Sequence, residues 1–207
     1  MTTTQLDDIS GLFRCETVSR TDATAQLLAL TKQLRGRADE DVYTVHQHVD
    51  CPPEVLYDYL LDIRSVEEFT YSMRNFRPAG TDGRYVGEDA TDPATKIHLR
   101  IHGNAEVGTV DYESAFDQGD DLWMVFCGRV LSARRVQNRG GALVSWTIWR
   151  HPYYAKNPYP HLSPRRGRVW PGSFWPLFHA CDVLELRNMQ QILEHRLRVG
   201  SAPVGGR

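Results

Sequence analysis

The chain has 207 residues, 41% of them hydrophobic and 24% charged, with a formal net charge of −2. This is ordinary for one medium globular domain, which can bury a sufficient core without disulfides or a structural metal. The small net charge gives no electrostatic reason to expect binding to nucleic acid or to an anionic membrane, and no run of about 18 apolar residues predicts a membrane-spanning helix.

The four cysteines, Cys15, Cys51, Cys127 and Cys181, are widely separated in the sequence. No two of them form a Cys-x-x-Cys pair, so neither a zinc knuckle nor a thioredoxin-type redox site is indicated. The opening residues MTTTQLDDIS lack the basic start and apolar run of a signal peptide. We therefore expect a cytoplasmic protein with reduced thiols.

Residues 1–40 are predicted to form an N-terminal extension with one short helix. Its first part is polar apart from Leu12 and Phe13, which we expect to pack against the main body. The segment TDATAQLLALTKQLRGR then predicts a helix, with Thr21 or Asp22 as its N-cap and four leucines on its apolar side.

The main domain is predicted to start with a strand over 42–49, VYTVHQHV, whose odd-numbered residues share one face. A Pro-Pro pair follows, and proline suits the first helical turn because that turn leaves its N–H groups unpaired. We expect Asp50 to cap this helix, whose apolar stripe continues to Ile63, and a second short helix over 65–69.

The next part of the chain predicts an antiparallel meander. Alternating segments are separated by the turn sequences GTDG, ATDPAT, DQGDD and NRGG. The expected strands are 73–78, 84–90, 95–102, 106–116, 122–132 and 142–150. A 20-residue connection leads to a long helix over 171–198, and residues 199–207 are predicted to be a disordered tail.

The element order predicts an α+β fold. A curved antiparallel sheet of about seven strands would wrap around the long C-terminal helix, with two short helices after the first strand. The space between the sheet and the long helix is a candidate ligand pocket.

The stretch VDCPPEVLYDYLLDIRSVEEF resembles the start of the helix-grip superfamily of START, Bet v 1 and polyketide cyclase/aromatase-like domains, also called SRPBCC. Residues at the matching places are Asp50, Pro52, Pro53, Val55, Leu56, Tyr57 and Asp62, and Phe69 stands where a Trp is common. The resemblance covers about residues 40–198 and implies the helix-grip fold over 41–198. The superfamily contains cyclases, dehydratases, lipid carriers and resistance proteins, so its implication for function is an analogy.

Three functions follow as hypotheses. The first is a cyclase, aromatase or dehydratase of secondary metabolism, acting without a cofactor on an aromatic or polyketide-like molecule. The second is a non-catalytic carrier or self-resistance protein for the same hydrophobic ligands. The third is a metal-dependent enzyme using His46 and His48, whose Cα atoms on one strand would be roughly 6.5–7 Å apart. On the alternative interpretation both histidines lie on the outer face of the strand.

The segment KIHLRIHGN supplies the first candidate catalytic group. His98, Arg100 and His102 share one strand face, opposite the aliphatic residues at 97, 99 and 101. Facing a pocket, the arginine would stabilise an enolate or phenolate while a histidine moved protons, as the resemblance implies for cyclases. Facing outwards, all three would be solvated.

The strand WMVFCGRV is apolar on both faces and carries Arg129, which would need an acidic partner if buried. In the cyclase hypothesis Arg129 is, like Arg100, a candidate to stabilise developing oxyanions. The long connection carries His151, Tyr153 and Tyr154, which suit a lid over an aromatic ligand, and His151 is also a candidate catalytic residue for moving protons. Its SPRRGR segment would either contact an acidic acyl carrier protein or remain solvated. Further candidate ligand contacts, each with core packing as the alternative, are Tyr112, Trp123, Trp146, Trp175 and His179.

Several functional classes are not indicated. The sequence contains no G-x-x-x-x-G-K-[ST], G-x-G-x-x-G, G-x-S-x-G or H-E-x-x-H motif. Nucleotide hydrolysis, dinucleotide redox chemistry and serine-hydrolase chemistry are therefore not expected, and no basic-aromatic repeat predicts nucleic-acid binding.

Overall fold

The computed structural model describes residues 6–34 and 41–200. Its seven strands form one antiparallel sheet in the order β1-β7-β6-β5-β4-β3-β2. The strands are β1 (Val42–Val49), β2 (Met73–Pro78), β3 (Arg84–Asp89), β4 (Asp92–Asn104), β5 (Thr109–Phe116), β6 (Met124–Ser132) and β7 (Ala142–Trp149). The helices are α1 (Arg20–Gln33), α2 (Pro53–Leu61), α3 (Ile63–Phe69), α4 (Ala133–Gln137) and α5 (Trp175–Gly200). The predicted α+β helix-grip architecture is confirmed.

Several predicted helix ends were wrong. Helix α1 is capped by Ser19, whose Oγ accepts a hydrogen bond from the Asp22 backbone N–H at 3.1 Å. Pro52, not Asp50, occupies the N-cap of α2. Helix α5 begins at Trp175 because Pro171–Phe174 form a separate 3-10 turn. It continues to Gly200, into the predicted tail, and the boundary predicted after residue 40 adjoins residues outside the described part.

One row of side chains shows how register builds the inner face of the sheet. Tyr43 pairs with Ile148, Ile148 with Phe126, Phe126 with Tyr112, and Tyr112 with Ile101. Because side chains alternate between faces along a strand, residues two positions away in each strand share this face. The inner face of five strands is therefore mostly aliphatic and aromatic.

Helix α5 lies across the inner face. The Tyr43 hydroxyl donates to Asp182 at 2.7 Å, and Gln47 Nε2 donates to Gln190 Oε1 at 2.6 Å. The buried apolar positions of α5 that complete this packing are Trp175, Leu186, Met189, Ile192 and Leu193. Within 6–34 and 41–200, no helix combines the length and hydropathy needed to cross a bilayer.

The N-terminal extension is attached to the domain through α5. Asn188 accepts from the Phe13 backbone N–H at 2.7 Å and donates to the Phe13 and Phe69 carbonyls at 2.7 and 2.9 Å. Leu12 and Phe13 are both buried, as the sequence predicted. One side chain of α5 thus holds two separate chain segments.

Replacing Asn188 with Ala should lower the free energy of unfolding by about 2–3 kcal/mol, because three buried backbone groups lose their partner. Urea denaturation measures the effect. The exposed neighbour Arg187→Ala is the control and should stay within about 0.5 kcal/mol of the wild type. Equal stability of the two variants would contradict the structural role of Asn188.

Candidate functional site

A cavity of about 120 Å³, here called the inner chamber, lies between the inner face of the sheet and helices α3 and α5. Most of its wall is apolar. The sheet contributes Leu99, Tyr112, Met124, Phe126 and Trp146, and α5 contributes Leu186.

A second cavity of about 270 Å³, the outer chamber, adjoins the first. Six residues line both cavities and form what we call the neck: Met73, Ile97, Phe116, Phe178, Cys181 and Glu185. The outer chamber is more polar, since its wall also carries Asp89, Asp92, Arg165 and Arg168. The two chambers therefore share part of their walls, and together they form the candidate site.

Asp182 is a buried carboxyl on the wall of the inner chamber. Its Oδ2 accepts the 2.7 Å hydrogen bond from Tyr43. Burial raises the pKa of Asp182 well above its usual range, and the nearby charge of Glu185 adds to the effect. Burial and the neighbouring Glu185 carboxylate thus favour the protonated form of Asp182.

Glu185 lies one helical turn further along α5, at the neck. Its Oε1 accepts from the Tyr71 backbone N–H at 2.7 Å and from Cys181 Sγ at 3.3 Å. Burial raises the pKa of Glu185 to about 7, against the opposing effect of these two hydrogen bonds. The site therefore contains two carboxyls whose pKa values are both raised, that of Glu185 to about 7.

Ser114 adds a third polar group to the inner chamber. It lies on the inner face of β5, is 2% exposed, and pairs in register with Leu99 and Met124. Its hydroxyl has no hydrogen-bond partner among the described residues.

The connection between β7 and α5, residues 150–174, forms one wall of the outer chamber. Arg165 binds Asp92 at 3.2 Å, and Arg168 Nη1 donates to Thr95 Oγ1 at 2.5 Å. Arg168 also forms an ion pair with Asp117, and the two side chains are 4% and 3% exposed. Within the SPRRGR segment the charge of Arg168 is therefore buried against the sheet, whereas Arg165 remains exposed.

Comparison with known proteins adds little to this description. No protein-family model matches the sequence, and no curated protein matches it. An uncharacterized protein from Bacillus thuringiensis has 12% identity and a TM-score of 0.49, covering 73% of this chain and 97% of its own. The protein XoxI from Bacillus cereus has 14% identity and a TM-score of 0.48, covering 74% and 95%.

DynU16, a protein in the dynemicin biosynthetic locus, has 13% identity and a TM-score of 0.41, covering 78% of this chain and 48% of its own. At these scores the likenesses support no argument about function. The fold assignment comes from the sheet and helices described above.

The predicted ligand contacts separate into three groups. Tyr112 and Trp146 line the inner chamber, where their rings meet edge to face at 5.0 Å. Trp175 and His179 pack against Tyr43, with the His179 and Tyr43 rings stacked at 4.3 Å.

The third group belongs to the long connection. Trp123 contacts His151 and Tyr153, and the His151 Nε2 lies 2.9 Å from the Gly172 carbonyl oxygen. Tyr154 lies beneath the Arg150 guanidinium. These residues hold the connection together and are not part of either chamber wall.

Four catalytic candidates lie on the outer face of the sheet and line neither chamber, which is the outward-facing alternative considered for β4. His98, Arg100 and His102 alternate with the inner aliphatic residues of β4, and Arg100 Nε donates to Glu113 at 2.9 Å. Arg129 is exposed because its neighbours Gly128 and Val130 are buried on the inner face of the sheet. Burial of aliphatic side chains decided the orientation of both strands.

His46 and His48 also lie on the outer face. His46 is exposed, and His48 Nε2 lies 2.8 Å from the Gly140 carbonyl oxygen. Across residues 6–34 and 41–200, no group of three or more His, Cys, Asp or Glu side chains is placed to hold a metal ion. The structure therefore brings no third ligand to this histidine pair.

Sequence reasoning missed Asp182, Glu185 and Ser114. A signal was present for the two acids, because Phe178, Asp182, Glu185 and Met189 follow the helical spacing of the apolar stripe of α5. An acid within such a stripe predicts a buried carboxyl. Ser114 gave no comparable signal.

Proposed function

We propose that this protein is a cofactor-free enzyme of the START/Bet v 1-like superfamily that cyclises or dehydrates an aromatic or polyketide-like molecule. The observation that carries the proposal is the carboxyl pair in an otherwise apolar site: Glu185 at the neck and Asp182 in the inner chamber. Two carboxyls with different environments can serve as base and acid at the same pH.

The geometry supports a proton-transfer mechanism. Ionised Glu185 takes a proton from a carbon next to a carbonyl, and the electron pair of that C–H bond moves to the carbonyl oxygen as an enolate. Protonated Asp182, oriented by Tyr43, donates a hydrogen bond to this oxygen.

Ring closure follows from the same groups. The enolate carbon attacks a second carbonyl of the molecule, forming the C–C bond, and the new alkoxide takes the proton held by Glu185. Loss of water from the resulting alcohol would use the two carboxyls again. The apolar walls exclude water and keep the chain folded while the carbons meet.

A carrier or self-resistance protein is the second candidate. It is favoured by the hydrogen bonds that Asp182 and Glu185 accept from Tyr43 and Tyr71. Two carboxyls with a purely structural role would have their hydrogen-bonding capacity filled in the same way. A carrier binds the same ligands and leaves their C–H bonds unchanged.

Hydrogen–deuterium exchange at carbon separates the two candidates. Phenylacetone in D₂O is the probe, because it combines one ring with a carbonyl, and ¹H NMR follows the loss of its α-protons. The wild-type protein should accelerate exchange, with a rate that rises with pH through about 7 as Glu185 ionises. Glu185→Gln should lower the catalysed rate by about 10²–10⁴-fold.

The exposed carboxyl Glu54 supplies the control variant, Glu54→Gln, which should exchange the probe at the wild-type rate. Binding of phenylacetone without acceleration, or equal rates for wild type and Glu185→Gln, would reject the enzyme and favour the carrier.

A further inference from the structure

We propose that the inner chamber holds a single oxygen-bearing ring of the substrate, of the size of phenol, with the Ser114 hydroxyl as its hydrogen-bond partner. The remainder of the substrate would pass Glu185 at the neck and occupy the outer chamber. This assignment rests on the proposed function in that it takes the two chambers as the ligand site, and it adds the chemical class of the ligand.

The volume of the inner chamber limits what can enter it. At about 120 Å³ it is close to an apolar protein cavity of about 150 Å³ that binds benzene. One six-membered ring fits such a space, and a fused polycycle does not. A polyketide-sized substrate must therefore extend into the outer chamber of about 270 Å³.

Ser114 indicates that the ring carries oxygen. Its side chain is almost fully buried, faces the inner chamber, and finds no partner among the residues described. Buried hydroxyl groups are nearly always hydrogen-bonded, since an unpaired one costs stability. A hydroxyl can both donate and accept, so a phenolic hydroxyl or a ring carbonyl would satisfy it.

The neck fixes where the reacting atoms lie. Glu185 lines both chambers, so a substrate that spans them passes this carboxyl with the bonds next to its ring. Polar groups of the substrate that lie beyond the neck, in the outer chamber, would contact the charged side chains of Asp92 and Arg165. The expected ligand is a phenol with a chain of carbonyl or hydroxyl groups attached to its ring.

Equilibrium binding tests the assignment without any turnover. Isothermal titration calorimetry would compare phenol, toluene and 4-propylphenol on the wild-type protein and on Ser114→Ala. Phenol should bind the wild type about tenfold more tightly than toluene, and Ser114→Ala should abolish that difference. 4-Propylphenol should bind at least tenfold more tightly than phenol, since each buried methylene adds up to about fourfold.

Ser72→Trp provides the matched variant, because Ser72 lines only the outer chamber. It should remove the advantage of 4-propylphenol and leave phenol binding as in the wild type. Equal affinity for phenol and toluene, or an unchanged preference for phenol in Ser114→Ala, would overturn the assignment. If the protein showed these binding preferences but did not accelerate hydrogen–deuterium exchange of phenylacetone, only the proposed enzymatic function would be rejected.

Discussion

Glu185→Gln should be more stable than the wild type at pH 8 by on the order of 3 kcal/mol, with a difference below about 1 kcal/mol at pH 5. The pKa of Glu185 rises from 4.5 to about 7 on folding because the carboxyl is buried. Between these values the unfolded chain releases the proton and the folded protein retains it, so wild-type stability falls as pH rises. Glutamine keeps the acceptor oxygen for Tyr71 and does not titrate.

Urea denaturation of both proteins at pH 5, 6, 7 and 8 measures the effect. The stability curves should diverge between pH 5 and 7 and run parallel above pH 7. Glu54→Gln removes an exposed carboxyl and should follow the wild-type curve throughout. Parallel curves for Glu185→Gln and the wild type over the whole range would mean that Glu185 ionises normally in the folded protein, and the general-base role would lose its support.

Arg168→Leu should lower the free energy of unfolding by about 3–5 kcal/mol. The substitution leaves the Asp117 carboxyl buried without its counter-charge, which is far more costly than the loss of an exposed pair. Because Arg168 attaches residues 150–174 to the sheet, this segment should also lose protection against amide hydrogen exchange. The double variant Arg168→Leu with Asp117→Asn should recover part of the loss, since it removes the unpaired charge.

Arg165→Ala is the control within the same connection. Its side chain is 62% exposed, so loss of its bond to Asp92 should cost less than about 1 kcal/mol. Urea denaturation and amide exchange read out all three variants. If Arg165→Ala and Arg168→Leu lowered the free energy of unfolding by the same small amount, the buried Arg168–Asp117 pair would not be what holds the wall of the outer chamber in place.

The orientation of β4 and β6 shows where sequence reasoning reached its limit. In β4 the alternation was clear, but it left open whether the face with His98 and Arg100 or the aliphatic face points inward. The structure buries the aliphatic face, with Leu99 3% exposed. In β6 both faces are apolar, so alternation could not decide. In the structure Gly128 and Val130 are on the buried inner face, where an added Cβ at Gly128 would lie 2.8 Å from the Trp146 ring.

The chambers depend on contacts that no local pattern contains. The rotation of α5 about its axis is fixed by the Tyr43–Asp182 hydrogen bond, which joins residues 139 positions apart, and by the bonds from Asn188 to Phe13 and Phe69. That rotation turns Asp182 into the inner chamber and sets Glu185 at the neck. The helical spacing of α5 puts both acids on its apolar stripe, but it does not indicate which part of the protein that stripe packs against.

By itself, the sequence determined the seven strands, the short helices after the Pro-Pro pair, the long final helix and hence the α+β helix-grip fold. These follow from periodicity and turn residues, which act over a few positions. Only the tertiary structure decided which strand faces were buried, how large the chambers are, and which carboxyls they contain. Those properties arise where distant segments pack together, and burial then changes the pKa of the groups enclosed.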